Sequence, residues 1–341
     1  MIERVLTQRE LNRALLARQL LLERSNLSIP RALERMGGIQ NQYAPNAYIR
    51  LWSCLEGFRR EQLTRALERR TVVQGTLMRS TIHLVSARDY WLFSVGGLRA
   101  LREWMARVDK TSDREIRRQD EALRKALAGG PRSAKELGVV AKSRAALWAE
   151  IVRIPPSGTW ERRRADRYAL AEQWVGPQTV SEADGVDHLV RSYLRGFGPA
   201  AVDDVSSWSG VPARMLEPAL ERLRLRRFRD EQGRVLFDLP RAPLPPADAP
   251  APVRFLPWWD AVLLVHARRT CVMPEEYRPI VFDTKNPPSV PTFLVDGRVV
   301  GTWRYDDGRI EFEPYERLSR PVLRELRAEG ERLAAFMGDD G

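Results

Sequence analysis

Residues 151–174 read IVRIPPSGTWERRRADRYALAEQW, two apolar ends joined by a basic middle. This is the pattern of a hairpin with a long charged tip. Upstream, periodicity predicts a charged amphipathic helix at 113–127, a short helix at 133–137 and another at 143–151. Helices followed by a hairpin give the order of a winged helix-turn-helix, in which a helix enters the major groove and the hairpin touches minor groove or backbone.

Working outward, the same order recurs on both sides. Toward the C-terminus it predicts a helix at 181–194, a short one at 199–208 ending at Ser209-Gly210, and a third at 212–223. The hairpin RLRRFRDEQGRVLFDL follows, turning near Gln232-Gly233. Toward the N-terminus, Thr7 followed three residues later by Glu10 marks the start of a helix at 6–22. Ser28 is the expected cap of PRALERM, which stops at the paired Gly37-Gly38. Helices are expected around 47–55 and at 60–69, a two-stranded wing at 72–85, and a helix at 87–108. Three units of similar grammar form a repeat.

The proline-rich PRAPLPPADAPAP, 240–252, suits neither helix interior nor central strand and reads as a linker. Beyond it, FLPWWDAVLLV, TFLVDGRVVGTWRY and RIEFEPY are strand-like, with turns at Asp296-Gly297 and Asp307-Gly308, and a helix covers 320–336. The expected fold is α+β, mainly α. Three tandem winged helix-turn-helix motifs occupy 1–111, 112–177 and 178–241, a linker spans 242–252, and a C-terminal β-rich subdomain with a terminal helix spans 253–341.

A chain of 341 residues, 43% apolar and 30% charged, has the composition of a folded globular protein rather than a disordered one. No apolar run approaches the roughly 20 residues of a membrane span, and the N-terminal stretch lacks the uninterrupted apolar core of a secretory signal. A cytoplasmic, nucleoid-associated location without membrane contact is expected. Two cysteines, Cys54 and Cys271, assemble neither a disulfide framework nor a CxxC zinc site, and three histidines lie far apart. No metal or other cofactor is expected. The surplus of 56 Lys+Arg over 45 Asp+Glu gives +11, which suits a polyanion partner; an arginine-rich composition would produce the same number.

Arginine concentrates on the hairpins. Arg162, Arg163, Arg164 and Arg167 lie at or near one tip, and Arg224, Arg226, Arg227 and Arg229 lie on the other hairpin. A guanidinium fork engages phosphate oxygens bidentately, so these residues are candidate DNA contacts. Charged hairpins also serve as solvated edges that block aggregation.

The chemistry-bearing segment is GGIQNQYAPNAYIRLWSCLEGF, 37–58. Glycines before Gln40 and Pro45 after it oppose helix, so Gln40 and Gln42 can project from one face of an extended stretch. Two carboxamides supply acceptors for the protons of a water and donors to fix its orientation. A polar QNQ loop linking two helices is the plainer reading of the same letters.

The segment resembles the signature of the winged-helix DNA glycosylases of the AlkZ and YcaQ type, with a Gln-x-Gln or Gln-x-Asp motif ahead of Leu-Trp-Ser-Arg-Leu. Here those positions read Gly38-Ile39-Gln40-Asn41-Gln42 and Leu51-Trp52-Ser53-Cys54-Leu55. LMRSTIHLV at 77–85, the FLPWWDAVLL run around Asp260, and VDGRVVGTW at 295–303 add to the resemblance, which spans most of the chain. Asn41 stands where the motif is usually apolar, and Cys54 replaces a frequent arginine.

The resemblance implies tandem winged helices around a basic concave channel, with Gln40 and Gln42 catalytic. Arg79 and His83, on the wing-like strand after the motif, become candidate DNA contacts; a core role for His83 stays open. Trp258-Trp259 suits packing better than base stacking. The implied reaction is monofunctional excision of alkylated purines, and possession of an open channel would also permit unhooking of interstrand crosslinks. An N7-alkylguanine already carries positive charge, so it departs without a general acid and amides suffice to orient the water. The expected partner is double-stranded DNA with alkylated or crosslinked bases, bound by a monomer. The alternative is a non-catalytic winged-helix DNA-binding protein or transcriptional regulator; a metal-dependent nuclease is disfavoured by the lack of a compact acidic cluster.

Overall fold

A computed structural model describes residues 2–108, 112–138, 150–264, 266–267, 269–282 and 289–338. The first helix is shorter than its periodicity suggests. Val5–Leu6 is a strand (β1), α1 spans Gln8–Arg18 inside a complete Thr7–Glu10 capping box, and the chain then breaks, with Leu20 at φ +58°. The break follows Arg18, whose fully buried guanidinium pairs with Asp238 at 2.7 Å instead of facing solvent along a continuing helix. Next come α2 (Ile29–Met36), β2 (Ile39–Gln40), α3 (Pro45–Cys54) and α4 (Arg60–Glu68). Ser28 is the N-cap of α2 by backbone position, although its hydroxyl makes no capping bond, and Gly37 closes the helix in the left-handed region.

The two strands expected at 72–85 form as antiparallel β3 (Val72–Thr76) and β4 (Ile82–Ser86), followed by α5 (Ala87–Val108). Then follow α6 (Asp113–Leu127), β5 (Arg132–Ser133), α7 (Ala134–Leu137), β6 (Ile151–Arg153), β7 (Arg167–Leu170) and α8 (Ala171–Trp174). The helix expected at 143–151 falls mostly outside the described residues, and Ile151 itself belongs to β6. The third group comprises α9 (Glu182–Phe197), α10 (Val202–Ser209), α11 (Ala213–Arg222), β8 (Arg226–Asp230) and β9 (Val235–Asp238). The last comprises β10 (Arg254–Leu256), α12 (Arg278–Val281), β11 (Thr292–Val295), β12 (Arg298–Asp306), β13 (Arg309–Pro314) and α13 (Arg320–Gly338). Within the described part of FLPWWDAVLLV only the start is strand. Asp260 turns the chain by accepting the Val262 N–H, and its carboxylate is spent on Arg50 of α3 at 3.0 Å.

The described strands form three sheets. The largest runs β2-β4-β3-β6-β7-β5, so the hairpins of the first two sequence units are joined edge to edge through antiparallel β3 and β6. β1 adds in parallel to the β8–β9 hairpin, and β10 to β13 form an antiparallel sheet packed under α13. The fold is mixed α+β. Its main core gathers α5 and α9 around Phe93, Leu189, Tyr193, Phe197 and Trp208. These helices cross where Gly96 meets Gly185: a Cβ on either would stand 2.5 Å from the other's backbone, so only glycine permits the approach. The first and third groups are thereby fixed to one another beneath the large sheet.

Candidate active site

The antiparallel register sets Gln40 of β2 opposite His83 of β4, and His83 opposite Gly75 of β3. Residues directly opposite share a face. That face is interior: the Tyr90 ring of α5 lies where a Gly75 side chain would be, His83 is 2% exposed and Gln40 is 8% exposed. The backbone pairing runs one residue further, Asn41 N–H donating to the Ile82 carbonyl at 2.7 Å. The return bond is made by a side chain. Ile82 N–H donates at 2.7 Å to Gln42 Oε1, which takes the place that Asn41's carbonyl would fill in a continuing ladder. The backbone ladder therefore stops at Asn41, one residue past β2, and Gln42, exposed, is tethered to the rim of the sheet.

Gln40 Oε1 accepts a 2.6 Å hydrogen bond from Arg79 Nη2. Arg79 sits in the tight connection between β3 and β4, and it and Ser80 both adopt the left-handed region, φ +55° and +60°. Burial pulls the Arg79 guanidinium down to about 10, so it remains charged at neutral pH, and its Nη1 has no partner among the described residues. Burial, reinforced by the Arg79 charge, pulls His83 down to about 3. His83 is thus a neutral imidazole. The carbonyl of Thr81 lies 3.0 Å from Nδ1 and can only accept, which places the ring proton there. No carboxylate contributes to either shift among the described residues, so the electrostatics of this pocket are those of one buried cation and neutral amides.

Asn41 is 3% exposed and points to the opposite face, its Nδ2 donating to Gln74 Oε1 at 3.3 Å. Gln74 in turn donates to the Gly158 carbonyl at 3.0 Å, and Gly158 belongs to the basic hairpin tip between β6 and β7. Arg163 on that tip donates to Tyr43 Oη at 2.8 Å. The fold therefore brings the QNQ segment and the tip arginines together. Arg162, Arg163 and Arg164 are exposed, while Arg167 is half-buried in β7. Arg162 and Arg164 share Asp166 at 3.7 and 3.6 Å. Arg226 and Arg227 stand apart from this grouping in the β8–β9 hairpin; Arg226 is engaged by Glu3 at 2.7 Å, and Arg227 is exposed over Phe237.

Gln74 went unnoticed in the sequence because VVQGT shows a polar residue in a strand without showing which face it occupies. The sequence favours packing over base stacking for Trp258, and the structure leaves it 40% exposed, 5.6 Å from the Tyr43 ring. With Trp160, Asn46 and Trp303 these rings line a cavity of about 260 Å³ that Arg163 of the basic tip also borders. Trp259 is half-buried, its backbone N–H donating to Ser289 Oγ.

A family model described as "DNA glycosylase AlkZ-like" matches residues 33–336. No curated protein sequence matches the chain. Among solved structures, the fold is similar to that of Streptomyces sahachiroi DNA glycosylase AlkZ, with a TM-score of 0.82 at 19% identity, over 98% of this chain and 97% of that chain.

Proposed function

The chain belongs to the AlkZ-like DNA glycosylase family, and from that premise we propose that it is a monofunctional glycosylase for cationic N7-alkylated purines, with a hydrolytic water held against C1′ by Gln40 and Gln42. What carries this reading is that two carboxamides two residues apart have their oxygens already held, Gln40 by Arg79 and Gln42 by the Ile82 N–H, and that no carboxylate offsets the buried Arg79 charge.

Glycosidic cleavage passes through an oxocarbenium-like state. A neutral purine needs protonation to leave, and His83, buried and neutral, is not a group that supplies a proton. A cationic base needs none. The sugar cation then requires only a nearby nucleophile, and fixed amide dipoles orient a water without reorganising during the reaction. Because the tip that carries Arg162, Arg163 and Arg164 is tied to the same segment through Gln74 and Tyr43, phosphate binding by these arginines would seat the lesion at the glutamines. Arg167, and further out Arg226 and Arg227, would extend the basic surface, while Arg79, turned inward onto Gln40, and His83 support Gln40 from inside the sheet. Gln42 lies at an exposed strand end, so a base still linked to the other strand could reach it, which is the requirement for unhooking a crosslink.

The test is release of free N7-methylguanine from methylated plasmid. Wild type should release it; Gln40→Ala/Gln42→Ala should retain DNA affinity and lose release. Full release by the double variant overturns the role of the glutamines, and no release of any methylated base by wild type favours a non-catalytic DNA-binding protein.

A further inference from the structure

The hydrogen bond between Arg79 and Gln40 assigns the two glutamines different tasks. We propose that Arg79 is a positioning residue that locks the Gln40 carboxamide with its oxygen turned inward, so that Gln40 presents N–H donors and Gln42 accepts the water's proton. This rests on the glutamine reading above.

A guanidinium has donors only, so the atom of Gln40 that faces Arg79 Nη2 at 2.6 Å is Oε1, and Nε2 is the end left to offer. An oxygen bonded to a cation is also a weaker proton acceptor than one bonded to a neutral donor. Gln42 Oε1 is bonded only to the neutral Ile82 N–H and is exposed, so it keeps a lone pair for water.

Arg79 itself is tightly held. Its turn is closed by Leu77 N–H to the Thr81 carbonyl and by Thr81 Oγ1 to the Met78 carbonyl, and two successive left-handed residues set its direction. Gly210, at the end of α10, lies close enough that an added Cβ would stand 3.1 Å from Arg79 Cγ. Burial is the resolved cause of its perturbed acidity, and no carboxylate accounts for its placement. The described acceptor that explains this buried cation is Gln40.

Single-turnover excision from a duplex carrying one N7-methylguanine, at saturating enzyme, is the measurement, with affinity for the undamaged duplex recorded in parallel. Arg79→Met should slow excision by about 100-fold, the cost of misplacing a reacting group by about 1 Å, with affinity unchanged. Arg79→Lys, which still donates to an amide oxygen, should recover most of the rate. In a Gln40→Ala background Arg79→Met should add no further loss, because both changes remove the same function. Gln40→Glu should be slower than Gln42→Glu, since it loses the N–H donors and pairs with Arg79; this ordering also carries the test should Arg79→Met not fold.

Multiplying losses in the double variant, weakened DNA binding with a normal saturated rate in Arg79→Met, or the reverse order of the two glutamates would overturn the proposal. An inactive Gln40→Ala beside a fully active Arg79→Met overturns this inference alone. A fully active Gln40→Ala overturns the glutamine reading and this inference with it.

Discussion

Replacing Gln74 with Met probes the joint between the candidate site and the basic tip. Gln74 is 1% exposed and bridges Asn41 Nδ2 to the Gly158 carbonyl. Met is close in volume and unbranched, so little cavity is added. What is lost is polar: one donor and one acceptor lose their partners inside the protein, at about 1–3 kcal/mol each. The 3.3 Å bond to Asn41 lies at the long end of the range and belongs at the bottom of that interval. A destabilisation of about 3 kcal/mol follows for the sum of the two, a large share of the 5–15 kcal/mol typical of a folded protein. Urea titration followed by tryptophan fluorescence would read it as a lowered midpoint at unchanged slope. Because Asn41 is the residue between the two glutamines, excision at a temperature where the variant is folded should also fall, by about 10-fold or more. A midpoint identical to wild type, with normal excision, would refute the idea that this bridge holds the segment in place.

Three further outcomes are expected. Arg50→Met strands the fully buried Asp260 carboxylate, which burial already pushes up, and should cost about 3–5 kcal/mol in chemical denaturation; a loss under about 1 kcal/mol would show that the pair does not anchor α3. Thermal stability should fall as pH drops from about 6.5: His83 and His188, held down to about 3 and about 4, and His266, held well below 6.5, are neutral when folded and take up protons on unfolding. Asp89, raised to about 6, releases a proton on unfolding and opposes them below about pH 6, and the raised Glu150 and Asp260 act in the same sense, so the histidines are read above that range and a flat melting profile between pH 7 and pH 6 contradicts their burial. Arg162→Ala/Arg164→Ala should reduce the slope of log affinity against log salt by about 1–2; an unchanged slope would remove the tip from the DNA interface.

Much of the chain was legible because its signals are local. The Thr7–Glu10 box starts α1 and Gly37 ends α2, while α5 occupies the span its periodicity marks out. The failures lie where distant residues decide. Nothing near Arg18 announces that it pairs with Asp238, which is why the first helix reads too long. Likewise, the apolar run after Leu256 looks like strand until Asp260 finds Arg50 and caps the following turn. The pairing of β3 with β6, which merges two sequence units into one sheet, depends on Gly75 meeting Val152 and leaves no trace in either segment alone. At the candidate site, the letters QNQ and the breakers around them pointed to an extended segment. They did not indicate that Asn41 faces away, that Gln40 is buried, or that Arg79 bonds Gln40 from the next turn.

The charge on the departing base is the point on which the chemistry turns. Single-turnover release should be compared between a duplex bearing N7-methylguanine and the same duplex bearing 7-methyl-7-deazaguanine, equal in shape but neutral. Release of the first with none of the second is the expected result; comparable release of the neutral base would mean that a proton donor operates at the site and that a pair of uncharged amides is not enough.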